Sequence, residues 1–267
     1  LAAHPQIDHL SFTGSPETGT HVAQAAAQHH VPVTLELGGK SPQLVFADAD
    51  LDAALPAVVR GIVQNAGQTC SAGSRLLVQR EIADSVVANL CERFAALRCD
   101  AGEADAHCGP LINARQKAKL DERLSAANAD GIRVAAMGEL ASSAPGGGHF
   151  VLPQLLTDIP EGHEVLREEL FGPVLVVQVF EDEAEALALA NATDFGLCAG
   201  IWTRDGGRQL RLAKGIRSGQ VFINNYGAAG GVELPFGGVG RSGHGREKGF
   251  EGLRSYTRIK TVAIKHG

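Results

Sequence analysis

The sequence predicts an α/β fold with a mostly parallel sheet. Short β-branched runs alternate with segments of helical periodicity, and no internal repeat interrupts the alternation. Hydrophobic residues at 44% and charged residues at 20% are in the ordinary proportion for a globular α/β chain. At 267 residues there is enough chain for one large or two modest domains around a buried core.

The elements follow in order. Ile7, Leu10 and Phe12 mark a short apolar strand, and an Ala-rich helix runs over 20–29. Asp48 and Asp50 are helix-capping residues for a helix over 51–65, which breaks at Ala66–Gly67. A strand covers 74–79. Val86, Val87, Leu90, Phe94 and Leu97 recur at helical spacing over 82–98, and another helix covers 113–130. Residues 141–149, with three consecutive glycines, form a surface loop. Strands over 174–180, 198–202 and 220–223 then interleave with helices near 183–191 and 206–214. The Gly-rich stretch over 227–245 is long for a loop inside a compact domain, and loops of that length are usually functional.

Several function classes are disfavoured by composition. A net charge of −6 with no Lys/Arg run argues against nucleic acid and anionic membranes as partners. The longest apolar stretches, such as 174–180, are strand-sized and too short to span a bilayer. Five cysteines are odd in number, widely spaced and without a CxxC pair, which reads as reduced thiols in a cytoplasmic protein. The ten histidines are scattered without metal-ligand spacing, so no metal site is expected. The opening residues lack the basic and apolar regions of a signal peptide. A start at Leu1, with Met137 the only methionine, reads as part of a longer product.

Three segments carry chemistry. Phe12-Thr13-Gly14-Ser15-Pro16-Glu17-Thr18-Gly19 is a strand, a glycine turn and a helix start, the arrangement that offers free backbone N–H groups to a pyrophosphate; a plain strand-to-helix turn is the alternative. In Leu35-Glu36-Leu37-Gly38-Gly39-Lys40, a carboxylate between two leucines would be desolvated and inclined to take up a proton; a salt bridge to Lys40 is the alternative. In Gly67-Gln68-Thr69-Cys70-Ser71-Ala72-Gly73, small neighbours leave the Cys70 sulfur reachable, and the loop can aim a backbone N–H at an oxyanion; a buried structural thiol is the alternative.

Taken together, Leu35–Pro42 and the Gly67–Cys70 loop, with Glu36 and Cys70 34 residues apart, resemble the glutamate and cysteine signatures of the aldehyde dehydrogenase superfamily. Further matches continue in collinear order through Glu169-Leu170-Phe171-Gly172-Pro173, Phe222-Ile223-Asn224, Pro235-Phe236-Gly237-Gly238 and the glycine-rich run from Ser242 to Glu247. The resemblance implies that Cys70 attacks an aldehyde to give a thiohemiacetal and then a thioester, which water activated by Glu36 hydrolyses. It implies a cofactor, NAD or NADP, with Gly14, Ser15 and Gly19 along the pyrophosphate, Leu37 beside it, Glu169 on the nicotinamide ribose and Phe171 near the nicotinamide. It also implies a subunit nearly twice this length, whose other half supplies most of the cofactor sheet and an oxyanion-binding asparagine. Residues 1–38 would then be a remnant of a Rossmann-like cofactor domain, 39–241 the catalytic domain, and 242–267 a return to the cofactor domain ending in an oligomerisation strand.

That last strand is also legible as a pattern. Over 255–265, Tyr256, Arg258, Lys260, Val262 and Ile264 alternate with Thr257, Ile259, Thr261 and Ala263, which predicts an interface strand and at least a dimer; a strand closing an edge within its own chain is the alternative, and the resemblance implies a homodimer or homotetramer. Gln64 stands where many relatives carry an aromatic residue, and 224–231 is small and polar, which suggests a non-bulky or polar aldehyde. Three other readings remain at this stage: a non-catalytic binding or structural subunit of the same fold, a cysteine hydrolase, and an acylating relative that passes the thioester to coenzyme A.

Overall fold

Two larger sheets of unequal size form beside two short strand pairs, and the site lies where the larger two meet. The computed structural model describes residues 1–104, 106–227 and 231–267. Strands β1 (Leu10–Thr13) and β2 (Val33–Glu36) pair in parallel with Thr13 opposite Glu36, and the short strand Gly243–His244 adds antiparallel to the other side of β2. The crossover is helix α1 (Pro16–Ala27), which begins four residues before the predicted start. Pro16 at the first helical position has its φ preset, and the Ser15 hydroxyl accepts from the Thr18 N–H at 3.2 Å, so the cap draws the helix back to the glycine turn.

The larger sheet has seven strands. From one edge they run Gln220–Ile223, Cys198–Trp202, β3 (Pro42–Val45), β4 (Arg75–Gln79), Val174–Phe180, Gln154–Thr157 and Arg133–Met137. Every neighbouring pair is parallel except the last, which is antiparallel. Strand β3 was not picked out by periodicity. It opens on Pro42, and proline is tolerated as the first residue of a strand because it need not donate there.

Burial on both faces explains the continuous apolar runs of these strands. Helices α2 (Leu51–Val63) and α3 (Ala83–Ala95) cover one face, with Val58, Ile62, Val86 and Phe94 packed against Leu76, Val78 and Leu175. Helix α4 (Ala114–Ala129) sets Leu120 and Ala127 into a second cluster with Leu156, Val174 and Val176. On the opposite face α5 (Glu183–Ala190) and α6 (Gly206–Gly215) bring Ala186, Ala190 and Leu212 against Leu44, Phe46, Leu77 and Ile201. Each fully buried aliphatic or aromatic side chain contributes about 1.5–3 kcal/mol, so these clusters dominate the stabilisation.

One buried cation organises the edge of the sheet nearest the site. The Arg75 guanidinium donates to the carbonyls of Lys40 (2.9 Å), Leu189 (2.8 Å) and Ala190 (3.0 Å). The last two end α5, where carbonyls lack helical partners and the helix dipole favours a cation. Arg75 thereby ties the residues just before β3 to the far helix.

Two further sequence expectations change. Asp50 alone caps α2, accepting from the Ala53 N–H at 3.2 Å. Asp48 instead accepts from the Thr203 hydroxyl and the N–H groups of Arg204 and Asp205, and pairs with Arg208 at 3.0 Å. Helix α3 ends at Ala95 rather than 98, because Arg98–Cys99 leaves the helix to pair with Glu139–Leu140. Residues 257–267 form no strand within this chain. A ladder requires a partner strand, and among the described residues none pairs with them, although Arg258 reaches the Asp8 carboxylate; Ile259 is 100% exposed and Val262 72%. Helix α7 (Gly249–Ser255) precedes this tail. Among the described residues no helix is long and apolar enough to cross a membrane.

Candidate active site

Glu36 ends β2, held between Thr13 on one side and Gly243 on the other. It is 2% exposed, and neither carboxylate oxygen has a hydrogen-bond partner among the described residues. Burial raises its pKa from 4.5 to about 8, the Glu247 carboxylate adds to the rise, and Arg246 opposes it. The Pro235–Gly238 turn closes over it, since a side chain at Gly237 would collide with the Glu36 carboxylate. The salt bridge to Lys40 does not form. Lys40 is buried separately, with no hydrogen-bond partner for Nζ among the described residues, and burial first and Arg75 second press its pKa down to about 7, against Glu169 and Glu168.

Cys70 is reached through a sharp break in the chain. After α2, Asn65 (φ 51°), Ala66 (φ 53°) and Gly67 (φ 70°) are all left-handed. Such conformations cost a non-glycine residue roughly 1–2 kcal/mol each, and the loop recovers some of that through mutual hydrogen bonds. Asn65 Nδ2 donates to the Gln68 carbonyl (2.8 Å), and Gln68 Nε2 donates back to Asn65 (3.1 Å). Gly67 packs against the Gly172–Pro173 turn with no room for a Cβ. The Tyr226 hydroxyl donates to the Ser71 carbonyl at 2.8 Å, fixing the far side of the loop.

The Cys70 thiol is half-buried. Burial is the first cause of its raised pKa, followed by Glu169 and, more weakly, Glu36; the N–H groups of Ser71 and Cys70 pull it back. The resting group is therefore a thiol that must lose its proton before it can attack. Cys99, Cys108 and Cys198 are buried, and Cys91 is half-buried on α3. Cys198 sits beside the site: burial, then Cys70 and Glu36, push it up to about 12. Its position as the first residue of a strand gave no signal of that proximity.

Gly38 and Gly39 join these segments. A side chain at Gly38 would run into the Glu169 carboxylate, and one at Gly39 into the Cys70 carbonyl. The Gly39 N–H donates to Glu169 Oε1 at 2.9 Å. Burial raises the Glu169 pKa, with that N–H and Lys40 acting against the rise. Phe171 follows in a left-handed conformation (φ 53°) with its ring partly exposed, and Gln116 Nε2 grips the Leu170 and Phe171 carbonyls at 3.2 and 2.9 Å.

A groove of about 460 Å³ runs along the start of α1, bounded by Glu17, Leu35, Leu37, Arg241 and His244. Leu37 is thus placed on it. Gly14, Ser15 and Gly19 flank it with their donors engaged: Gly14 N–H to the Glu36 carbonyl (3.0 Å), Gly19 N–H to the Ser15 carbonyl (2.9 Å), and the Ser15 hydroxyl to Thr18 (3.0 Å). Gly19 also packs on Leu37, where a Cβ would collide. Leu35 and Leu37 give the groove an apolar wall, and Glu17, Arg241 and His244 give it a polar one. Sequence reasoning missed Arg241 and His244, whose signal was the glycine-rich run around them.

The two sheets present opposite ends to this site. Glu36 leaves the carboxyl end of β2, whereas Lys40, Ser74, Pro173 and Leu197 stand at the amino ends of parallel strands in the large sheet. The sequence profile of the aldehyde dehydrogenase family matches residues 1–262. The chain belongs to that family. It is 41% identical along its whole length to betaine aldehyde dehydrogenase 1 of Rhizobium meliloti (strain 1021), covering 55% of that protein. A crystal structure from Burkholderia cenocepacia is 62% identical, with a TM-score of 0.98, and covers 100% of this chain and 56% of its own. The NAD+ complex of aldehyde dehydrogenase from Bacillus cereus is 38% identical with a TM-score of 0.93, over 98% of this chain and 52% of that one. The chain thus spans about half the length of the curated relatives it matches.

Proposed function

We propose that this chain is the catalytic half of an NAD- or NADP-dependent aldehyde dehydrogenase, with Cys70 as nucleophile and Glu36 as the base that activates water. The observation that carries the reading is the junction at Gly38–Gly39, which gathers the Glu36, Cys70 and Glu169 segments with no space for side chains between them.

Cys70 loses its proton and its sulfur adds to the aldehyde carbonyl, giving a thiohemiacetal. When bound, NAD or NADP would supply the acceptor for the hydride that leaves the former aldehyde carbon. The thioester that remains is attacked by water as Glu36 removes a proton, which releases the acid and the Cys70 thiolate. Glu169 would hold the ribose of that cofactor, and Phe171 would pack near its nicotinamide. Leu37 lines the cofactor groove, while Gly14, Ser15 and Gly19 shape the helix start beside it. No metal enters the scheme. The unpartnered, proton-retaining Glu36 favours water over coenzyme A as acceptor. Carboxylates and backbone N–H groups bear on Cys70, with no histidine among them, which weighs against a cysteine hydrolase. A non-catalytic subunit would have no need to keep both groups.

The division at 38/39 and 241/242 follows from the same reading, supported by the separation of β1, β2 and Gly243–His244 from the seven-stranded sheet. The cytoplasm is the proposed compartment, with all five cysteines free. Full-length subunit is expected to reduce NAD or NADP when given an aldehyde. Residues 1–267 alone are expected to bind either dinucleotide poorly by calorimetry, because half of a cofactor sheet leaves the binding crevice incomplete. Failure of the full-length protein with both cofactors across an aldehyde panel overturns the function; micromolar binding by residues 1–267 overturns the division of labour.

The exposed tail is proposed to extend a neighbouring subunit's sheet in a homodimer or homotetramer. Its apolar side chains Ile259, Val262 and Ile264 are 71–100% exposed in the single chain, and an unpaired edge invites pairing. Truncation after Arg254 should shift the full-length protein toward monomer by light scattering. An unchanged oligomer of normal stability means that the tail is not the contact.

A further inference from the structure

On the dehydrogenase reading, we infer that the aldehyde it takes carries an anionic group, such as a carboxylate, at the end remote from the aldehyde, held by Lys248 and Arg60. The basis is a cavity of about 350 Å³ whose lining includes Arg60, Gln64, Ser71, Cys198, Phe236 and Lys248. Ser71 follows Cys70, and a charge on Cys70 is felt at Cys198, so the cavity opens onto the reactive loop.

Its charge is one-sided. Arg60 and Lys248 line it, and no Asp or Glu is among the described lining residues. Among the described residues neither cation forms an ion pair. Two unpaired positive groups facing one small cavity raise the local concentration of anions and repel cations.

Lys248 is held there at a conformational cost. Its backbone lies at φ 58°, ψ 177°, a region that is essentially glycine's own. The neighbouring chain enforces it: Phe236 and Glu247 exchange two backbone hydrogen bonds of 2.7 Å, and the Gly249 N–H donates to the Val232 carbonyl at 2.8 Å. A lysine in a glycine conformation, between two glycine-rich turns, is presented from a fixed point rather than from a free loop.

The same geometry disfavours a quaternary ammonium aldehyde. Such cations are recognised by open aromatic faces. The Phe236 face is already covered by the Lys248 ammonium, 5.4 Å from the ring centroid, and Phe222 meets Tyr226 edge-on. Position 64, beside them, offers an amide rather than a ring.

The test compares 4-oxobutanoate, butyraldehyde and betaine aldehyde as substrates of the full-length protein, which match roughly in length and differ in terminal charge. The expected order of kcat/KM is anionic, neutral, cationic, with the anionic-to-neutral ratio about tenfold or more and shrinking as salt is raised. Lys248→Met and Arg60→Met should each lower that ratio severalfold, mainly through KM, and Lys248→Arg should largely restore it. Betaine aldehyde used as well as 4-oxobutanoate, or a ratio unmoved by both methionine variants, overturns the assignment while leaving the dehydrogenase intact. No oxidation of any of the three overturns the dehydrogenase reading and this inference with it.

Discussion

Replacing Cys70 by alanine in the full-length protein is expected to lower aldehyde oxidation by about 10⁴-fold or more, as loss of a covalent nucleophile does. Cofactor binding should survive, because Glu169 is positioned by the Gly39 N–H and the Cys70 side chain takes no part in that contact. Limited iodoacetamide treatment of the native protein tests the same assignment without mutation. Three of the other thiols are buried, so Cys91 is the informative rival: it is equally half-buried but rests on a helix and lies 3.6 Å from the Ala135 carbonyl. Peptide mapping should find Cys70 labelled before Cys91, and faster as pH rises, since burial and Glu169 keep its sulfur protonated at neutrality. Cys91 labelled first, or a Cys70→Ala protein within tenfold of the parent, excludes Cys70 as nucleophile.

Much of this arrangement was legible in the sequence because local rules and tertiary needs agree there. Glu36 between leucines is an apolar strand position, and the strand end buries it. Glycines at 38, 39, 67 and 237 are points where two backbones or a carboxylate approach too closely for a Cβ, so their clustering in sequence marks the junctions of the site. What escaped is long-range. Asp48 looks like a helix cap and serves a loop more than 150 residues away. Strand β3 is masked by its leading proline, Cys198 approaches Cys70 only through sheet order, and Arg241 reaches the groove beside α1 only because Gly243–His244 returns to β2. The tail shows the converse case: a strand pattern without a partner in its own chain forms no strand.

Glu36→Gln should separate the two halves of the reaction. With hydride transfer upstream of the base, the first turnover should still release about one equivalent of reduced cofactor, whereas steady-state turnover falls about 10²–10⁴-fold as the thioester waits for water. The parent's steady-state rate should climb with pH and level off above about 8, the value to which burial raises Glu36, because only the ionised carboxylate can take the proton. The variant should lose that inflection. Stability should move the other way. A carboxylate whose folded pKa lies above its unfolded 4.5 destabilises the fold increasingly as pH rises from 4.5 through about 8. Glutamine removes that charge, so the variant should melt a few degrees above the parent at pH 8.5, for a gain of about 1–2 kcal/mol, and the gain should vanish near pH 4.5. The combination is diagnostic. Burst and turnover lost together in a protein that melts higher would place Glu36 before hydride transfer, as the base for the Cys70 thiol. The same loss in a protein that melts lower at every pH would mean that the buried carboxylate supports the fold and that deacylation uses another base.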